Sequence, residues 1–145
     1  MSVLGELQPN KVFKYFEEIC SIPHGSRNLQ QISDYLVDFA KAHELKYRQD
    51  EDLNVIIWKD GSKGYEASEP VILQGHMDMV AVKEADCDKD MEKEGLDLEI
   101  NGDYISAKGT SLGGDDGIAV AYTLAVLDDE AVSYTHLTLP TTPYV

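Results

Sequence analysis

From Asn10 to Cys20 the apolar residues Val12, Phe13, Phe16, Ile19 and Cys20 fall at i, i+1, i+4, i+7 and i+8. That spacing predicts a helix with one buried face, stopped by Pro23. A second helix is expected from Asn28 to Leu45, with Leu29, Ile32, Leu36, Phe39 and Ala40 turned inward and Asn28 as its cap. The pattern then shortens. Lys46 to Gln49 and Asn54 to Lys59 read as two strands joined by an acidic turn, the second ending at the turn pair Asp60-Gly61. Pro70 to Gly75 is a brief apolar run that suits a buried central strand, and it leads straight into His76. Leu96 to Ile100 and Asp103 to Ala107 flank Asn101-Gly102, a strong hairpin signal. From Gly117 to Leu127 nearly every residue is apolar or small, as in a helix buried almost all round. Helices alternating with strands predict an α/β fold, a mixed sheet flanked by helices.

Composition narrows the partners. Across 145 residues, 12 Lys plus Arg stand against 27 Asp plus Glu, a net charge of −15, which argues against nucleic acid as a partner because phosphates must be neutralised. No run approaches the ~18 apolar residues of a membrane span and no leader pattern opens the chain, so no membrane partner and a cytoplasmic location are expected. Cys20 and Cys87 are too few and too far apart for a disulfide framework and read as reduced thiols. Residues 131 to 145 contain no Asp, Glu, Lys or Arg, and all 27 acids lie upstream. Val132 to Thr141 resembles the translation of a transposon-end sequencing adapter. The expected organisation is therefore a partial domain over 1–130 and a non-native tail over 131–145, which removes His136 from consideration as a ligand.

Two segments carry candidate chemistry. In Gly75-His76-Met77-Asp78-Met79-Val80 the imidazole and the carboxylate are two residues apart, so a continuing strand would project both to one face, where Asp78 can orient His76. In Gly109-Thr110-Ser111-Leu112-Gly113-Gly114-Asp115-Asp116-Gly117, glycines surround two acids just before the buried helix. Asp116 fits the role of a helix cap, which leaves Asp115 to ligate. Imidazole plus carboxylate suits zinc, manganese or cobalt, and a carboxylate can bridge two ions. A third cluster, Asp86, Asp88 and Asp90, offers positions 1, 3 and 5 of a calcium loop, but Met91 stands where the sharp turn needs Gly and Asp97 where the loop needs Glu. A solvated acidic loop is the simpler reading. His24 and His43 read as loop and surface residues with no carboxylate at an interpretable spacing.

Three collinear segments carry a resemblance: Ile19-Cys20-Ser21-Ile22-Pro23-His24, Leu73 to Val80, and Ala107 to Ile118. Together they resemble the N-terminal part of the dipeptidases in the di-zinc exopeptidase and deacylase family, from about Leu7 to Glu130. The resemblance implies a partial zinc-exopeptidase catalytic domain and a parent that hydrolyses dipeptides such as aminoacyl-histidine with two zinc ions, manganese or cobalt being the alternatives. It implies that His76 is a zinc ligand, that Asp78 orients that imidazole, and that Asp115 bridges both ions and is followed by a cis peptide bond. Asp116 stands where these dipeptidases more often have Asn. The family's glutamate general base, its other ligands and its lid lie downstream of Glu130, so this chain is expected to be inactive alone. A small dipeptide is the implied partner, with a homodimer open for the full-length protein. A related zinc deacylase or tripeptidase, or an acidic calcium module, are the competing readings.

Overall fold

The computed structural model describes residues 2–131 and the backbone of residues 135–139. Three helices, α1 (Asn10–Cys20), α2 (Gln30–Ala42) and α3 (Gly114–Leu127), accompany six strands: β1 (Lys46–Gln49), β2 (Val55–Lys59), β3 (Val71–Gln74), β4 (Leu98–Asn101), β5 (Tyr104–Ala107) and β6 (Thr135–Leu139). Strands β1, β2, β6 and β3, in that order, form a mixed sheet, antiparallel except for the β3 and β6 pair. Strands β4 and β5 form a separate hairpin. The α/β expectation holds.

The amphipathic spacing of α1 buries Val12, Tyr15, Phe16, Ile19 and Cys20, while Phe13 is only partly covered. α1 packs on α3, and α2 lies against β1 and β2. Tyr15 meets Phe39 of α2 edge to face at a ring separation of 5.5 Å, and the Tyr35 hydroxyl donates to Glu18 Oε2 at 2.7 Å. Ser33, buried on α2, donates to the Leu53 carbonyl at 2.7 Å, which ties the helix to the acidic turn. That turn is closed from within: Asp50 Oδ1 accepts the Asp52 and Asn54 amides at 3.0 and 2.9 Å.

Ahead of α1 the chain is clamped. Glu17 accepts Ser2 Oγ at 2.6 Å, the Val3 amide at 2.6 Å and the Leu4 amide at 3.2 Å, which seats Leu4 fully in the core. Burial raises the Glu17 pKa, but these donors outweigh it and the net shift is downward. A carboxyl whose folded pKa is depressed stabilises the fold above its unfolded value and loses that contribution as pH falls through the folded one. Stability measured by urea unfolding should therefore fall below about pH 4.5, and Glu17→Gln should flatten this acid limb. An unchanged acid limb in the variant would show that the clamp contributes nothing.

Several expectations are corrected. Helix α2 starts at Gln30 after Leu29, with no side-chain cap bond, and Asn28 instead donates to the Glu92 carbonyl at 2.9 Å. Strand β3 is not buried and central. It lies at the sheet edge, with Val71 49% and Ile72 66% exposed, because β6 takes its inner side and no described strand pairs with the other. The hairpin turn is centred one residue later than predicted: Asn101 pairs with Tyr104, leaving Gly102 and Asp103 at the tip, and Gly102 supplies the positive φ of 62°. Helix α3 is buried on one face only, and Tyr122 is half exposed. Thr135–Leu139, within the segment expected to be a non-native tail, pairs with β2 and β3, and the His136 side chain lies outside the described residues.

Candidate metal centre

Strand β3 and helix α3 bring the two motifs together. His76 follows the C-terminal end of β3 and Asp115 opens α3, so both sit at the carboxyl end of a sheet strand, where α/β folds place their chemistry. Although 39 residues separate them, His76 Nε2 lies 3.1 Å from Asp115 Oδ1. The strand does not continue through the motif as supposed, yet His76 and Asp78 still meet. Nδ1 is 3.0 Å from the Asp78 carbonyl oxygen and 3.3 Å from Asp78 Oδ1. Both ring nitrogens thus face acceptors, Nδ1 those of Asp78 and Nε2 that of Asp115, and an Nδ1–H donated to Asp78 leaves Nε2 as the nitrogen able to ligate. Burial lowers the His76 pKa. The Asp78 carbonyl and the carboxylates of Asp115 and Asp78 outweigh it, so the net shift is upward.

Asp115 is presented by an irregular helix start. Asp115 and Asp116 have non-helical backbone angles within α3, and the peptide bond between them is cis, as the resemblance implied. Asp116 is expected as a cap, but its carboxylate lies toward Gly75: a Cβ there would stand 3.1 Å from Asp116 Oδ2. Before α3, Gly113 has a φ of 71°, and a Cβ on it would meet Met79 Sδ at 2.9 Å. Both the backbone and the close approach of the two motif loops therefore require glycine there. Ser111 fastens the same loops: its Oγ donates to the Val80 carbonyl at 2.6 Å, and its amide donates to the Val82 carbonyl at 2.9 Å.

Two residues escaped the sequence reading. Ser26 donates from Oγ to Asp78 Oδ2 at 2.7 Å. His24, expected at the surface, is 2% exposed and its Nδ1 is 2.6 Å from the Ile22 carbonyl oxygen. Only His24 lies in the quoted Ile19–His24 segment; Ser26 falls two residues beyond it and has no local signal. His43, read as partnerless, lies 3.5 Å from Asp128 Oδ1 and stacks against Phe39. The acidic cluster does not converge: Asp90 pairs with Lys93 at 2.9 Å. Among the described residues no three His, Cys, Asp or Glu side chains group to hold a cation. An open groove of about 860 Å³ starts at Gly25 and Ser26 and runs on past Arg27, Lys83 and Lys89, but neither His76 nor Asp115 lines it.

No protein-family model matches the chain. The chain is 41% identical over 132 residues to the cytosol non-specific dipeptidase of Escherichia coli (strain K12), covering 91% of this chain and 27% of that protein. The aminoacylhistidine dipeptidase of Vibrio alginolyticus superposes with a TM-score of 0.88 at 36% identity, over 95% of this chain and 28% of the other. A Staphylococcus aureus tripeptidase superposes with a TM-score of 0.72 over 94% of this chain and 37% of its own, and at 20% identity it speaks for the fold alone. Over nearly its whole length, then, the chain is similar in sequence to one dipeptidase and in sequence and fold to another, and it spans about a quarter of each.

Proposed function

We propose that this chain supplies part of the catalytic domain of a cytoplasmic metal-dependent dipeptidase, with His76 and Asp115 as ligands of a zinc centre and Asp78 as the residue that orients His76. The carrying observation is the 3.1 Å approach of His76 Nε2 to Asp115 Oδ1. Two donors each ~2.0–2.2 Å from one ion at a tetrahedral angle lie about 3.3–3.6 Å apart, so a small outward shift of the pair would admit a shared cation. Nitrogen plus carboxylate oxygen is also a donor set suited to zinc, with cobalt and manganese as substitutes. Bound zinc would acidify its water toward a pKa of ~7 and polarise the scissile carbonyl of a dipeptide such as aminoacyl-histidine.

The chain's own residues then have distinct tasks. Asp78 holds the Nδ1 proton and so keeps Nε2 free to ligate. Asp115, with its side chain almost fully exposed, has its second oxygen available to a second ion. On this reading the general base and the remaining ligands are supplied from outside residues 1–130, and residues 131–145 are proposed to be non-native. The calcium alternative loses Asp90 to Lys93.

Titration of the chain with cobalt should broaden the His76 ring resonances at weak affinity. With zinc added, the chain should show no substantial dipeptide turnover, because two donors cannot complete a four-coordinate ion. An undisturbed His76 would overturn the ligand assignment, and substantial turnover would overturn the two-donor argument.

A further inference from the structure

We propose that Ser26 is a positioning residue: its hydroxyl fixes the rotation of the Asp78 carboxylate and thereby the tautomer of His76. Backbone pairing lays the loop after α1 along the metal-site loop. The Met79 amide donates to the His24 carbonyl at 3.1 Å, the Ser26 amide donates to the Met79 carbonyl at 2.9 Å, and Gly25 bridges Met79 in parallel. The buried His24 ring, hydrogen-bonded to the Ile22 carbonyl, stiffens that loop. Ser26 is thereby aimed at a carboxylate only 6% exposed.

The two Asp78 oxygens divide the work. Oδ2 accepts from Ser26 Oγ at 2.7 Å, and Oδ1 stands 3.3 Å from His76 Nδ1. A carboxylate torsion is broad on its own. A charge-assisted hydrogen bond to one oxygen confines it, and that confinement keeps the other oxygen facing the imidazole. The Asp78 carbonyl at 3.0 Å also accepts from Nδ1, whereas Asp115 Oδ1 at 3.1 Å from Nε2 favours the other tautomer, so losing Ser26 shifts the balance away from Nδ1–H without abolishing it. Loss of a group behind a metal ligand lowers metal affinity by roughly 10–100-fold, and the surviving carbonyl places Ser26 at the lower end. The functional meaning rests on the proposed metal site, whereas the geometric claim stands without it.

The test uses the metal-free chain, with the His76 ring nitrogens followed by long-range proton–nitrogen NMR at a pH where the imidazole is neutral. Wild type should show the Nδ1–H tautomer. Ser26→Ala should show a mixture of tautomers and roughly tenfold weaker cobalt binding, and Ser26→Thr, which keeps a hydroxyl, should restore both. Asn28→Ala, which loosens the same loop through its bond to Glu92, should leave the ring signals unchanged. Ring shifts in Ser26→Ala identical to wild type, or an equal change in Asn28→Ala, would overturn the proposal. If the alanine variant does not fold, Ser26→Cys, a weaker donor, should show an intermediate mixture, and wild-type shifts there refute the proposal equally. Absence of cobalt binding in wild type would remove the metal reading and leave the tautomer comparison to decide on Ser26.

Discussion

His76→Ala should eliminate uptake of cobalt or zinc at this site, a loss exceeding the roughly 10–100-fold expected when only the group behind a ligand is removed. The reason is geometric: Nε2 is one of only two donors that converge here, and Asp115, with its side chain almost fully exposed, has no other imidazole within its reach among the described residues. Stability should hardly change. The His76 side chain is about one third exposed and its ring stands outside the apolar core, so its removal opens no cavity. Asp78→Ala should behave in the opposite manner, with partial loss of metal binding and a clear loss of stability. It deletes a buried carboxylate and strands the donors that face it. His43→Ala, remote from the motif loops, serves as the control and should bind metal as wild type does. Calorimetric titration with cobalt, read beside thermal melts, checks all three. Metal uptake by His76→Ala equal to wild type would sink the assignment of this residue.

Leu124→Ala should cost about 2–5 kcal/mol, the range for truncating a fully buried leucine, out of the roughly 5–15 kcal/mol that domains of this kind possess. Leu124 has no exposed surface and belongs to the buried face of α3 within the hydrophobic core. The void would lie under the buried face of α3, and α3 is the element that carries Asp115 toward His76. Urea unfolding should show a lower midpoint with an unchanged slope. The variant should also lose metal affinity through displacement of Asp115, although residue 124 touches no donor. An unfolding midpoint equal to that of the parent would mean that α3 is not packed as described.

Much of this was legible in the sequence, and the failures share a cause. The i, i+3, i+4 spacing of Val12, Phe16 and Ile19 placed α1 on its observed residues, since one covered face leaves a periodic trace. The run Val71-Ile72-Leu73 misled because apolar content marks a strand but says nothing of its neighbours; an edge and a centre look alike until the pairing is known. Asn101-Gly102 located the hairpin, whereas register across β4 and β5 decided which two residues formed its tip. At the site, His76, Asp78 and Asp115 were visible as short motifs, and the structure brings all three together. Ser26 was not, because its partner lies 52 residues away and a lone serine in a loop carries no local signature.

That no strand among the described residues pairs with the outer side of β3 has a colloidal consequence. An edge with exposed Val71 and Ile72 offers backbone groups to which another molecule's strand can add, the usual beginning of cross-β aggregation. Two features oppose it: Pro70 interrupts the donor row at the strand's start, and a charge of −15 makes copies repel one another. The second defence is ionic and fades once salt shortens its reach to ~10 Å at 0.1 M. Concentrated, salty solutions are therefore where this polypeptide would begin to form fibrils.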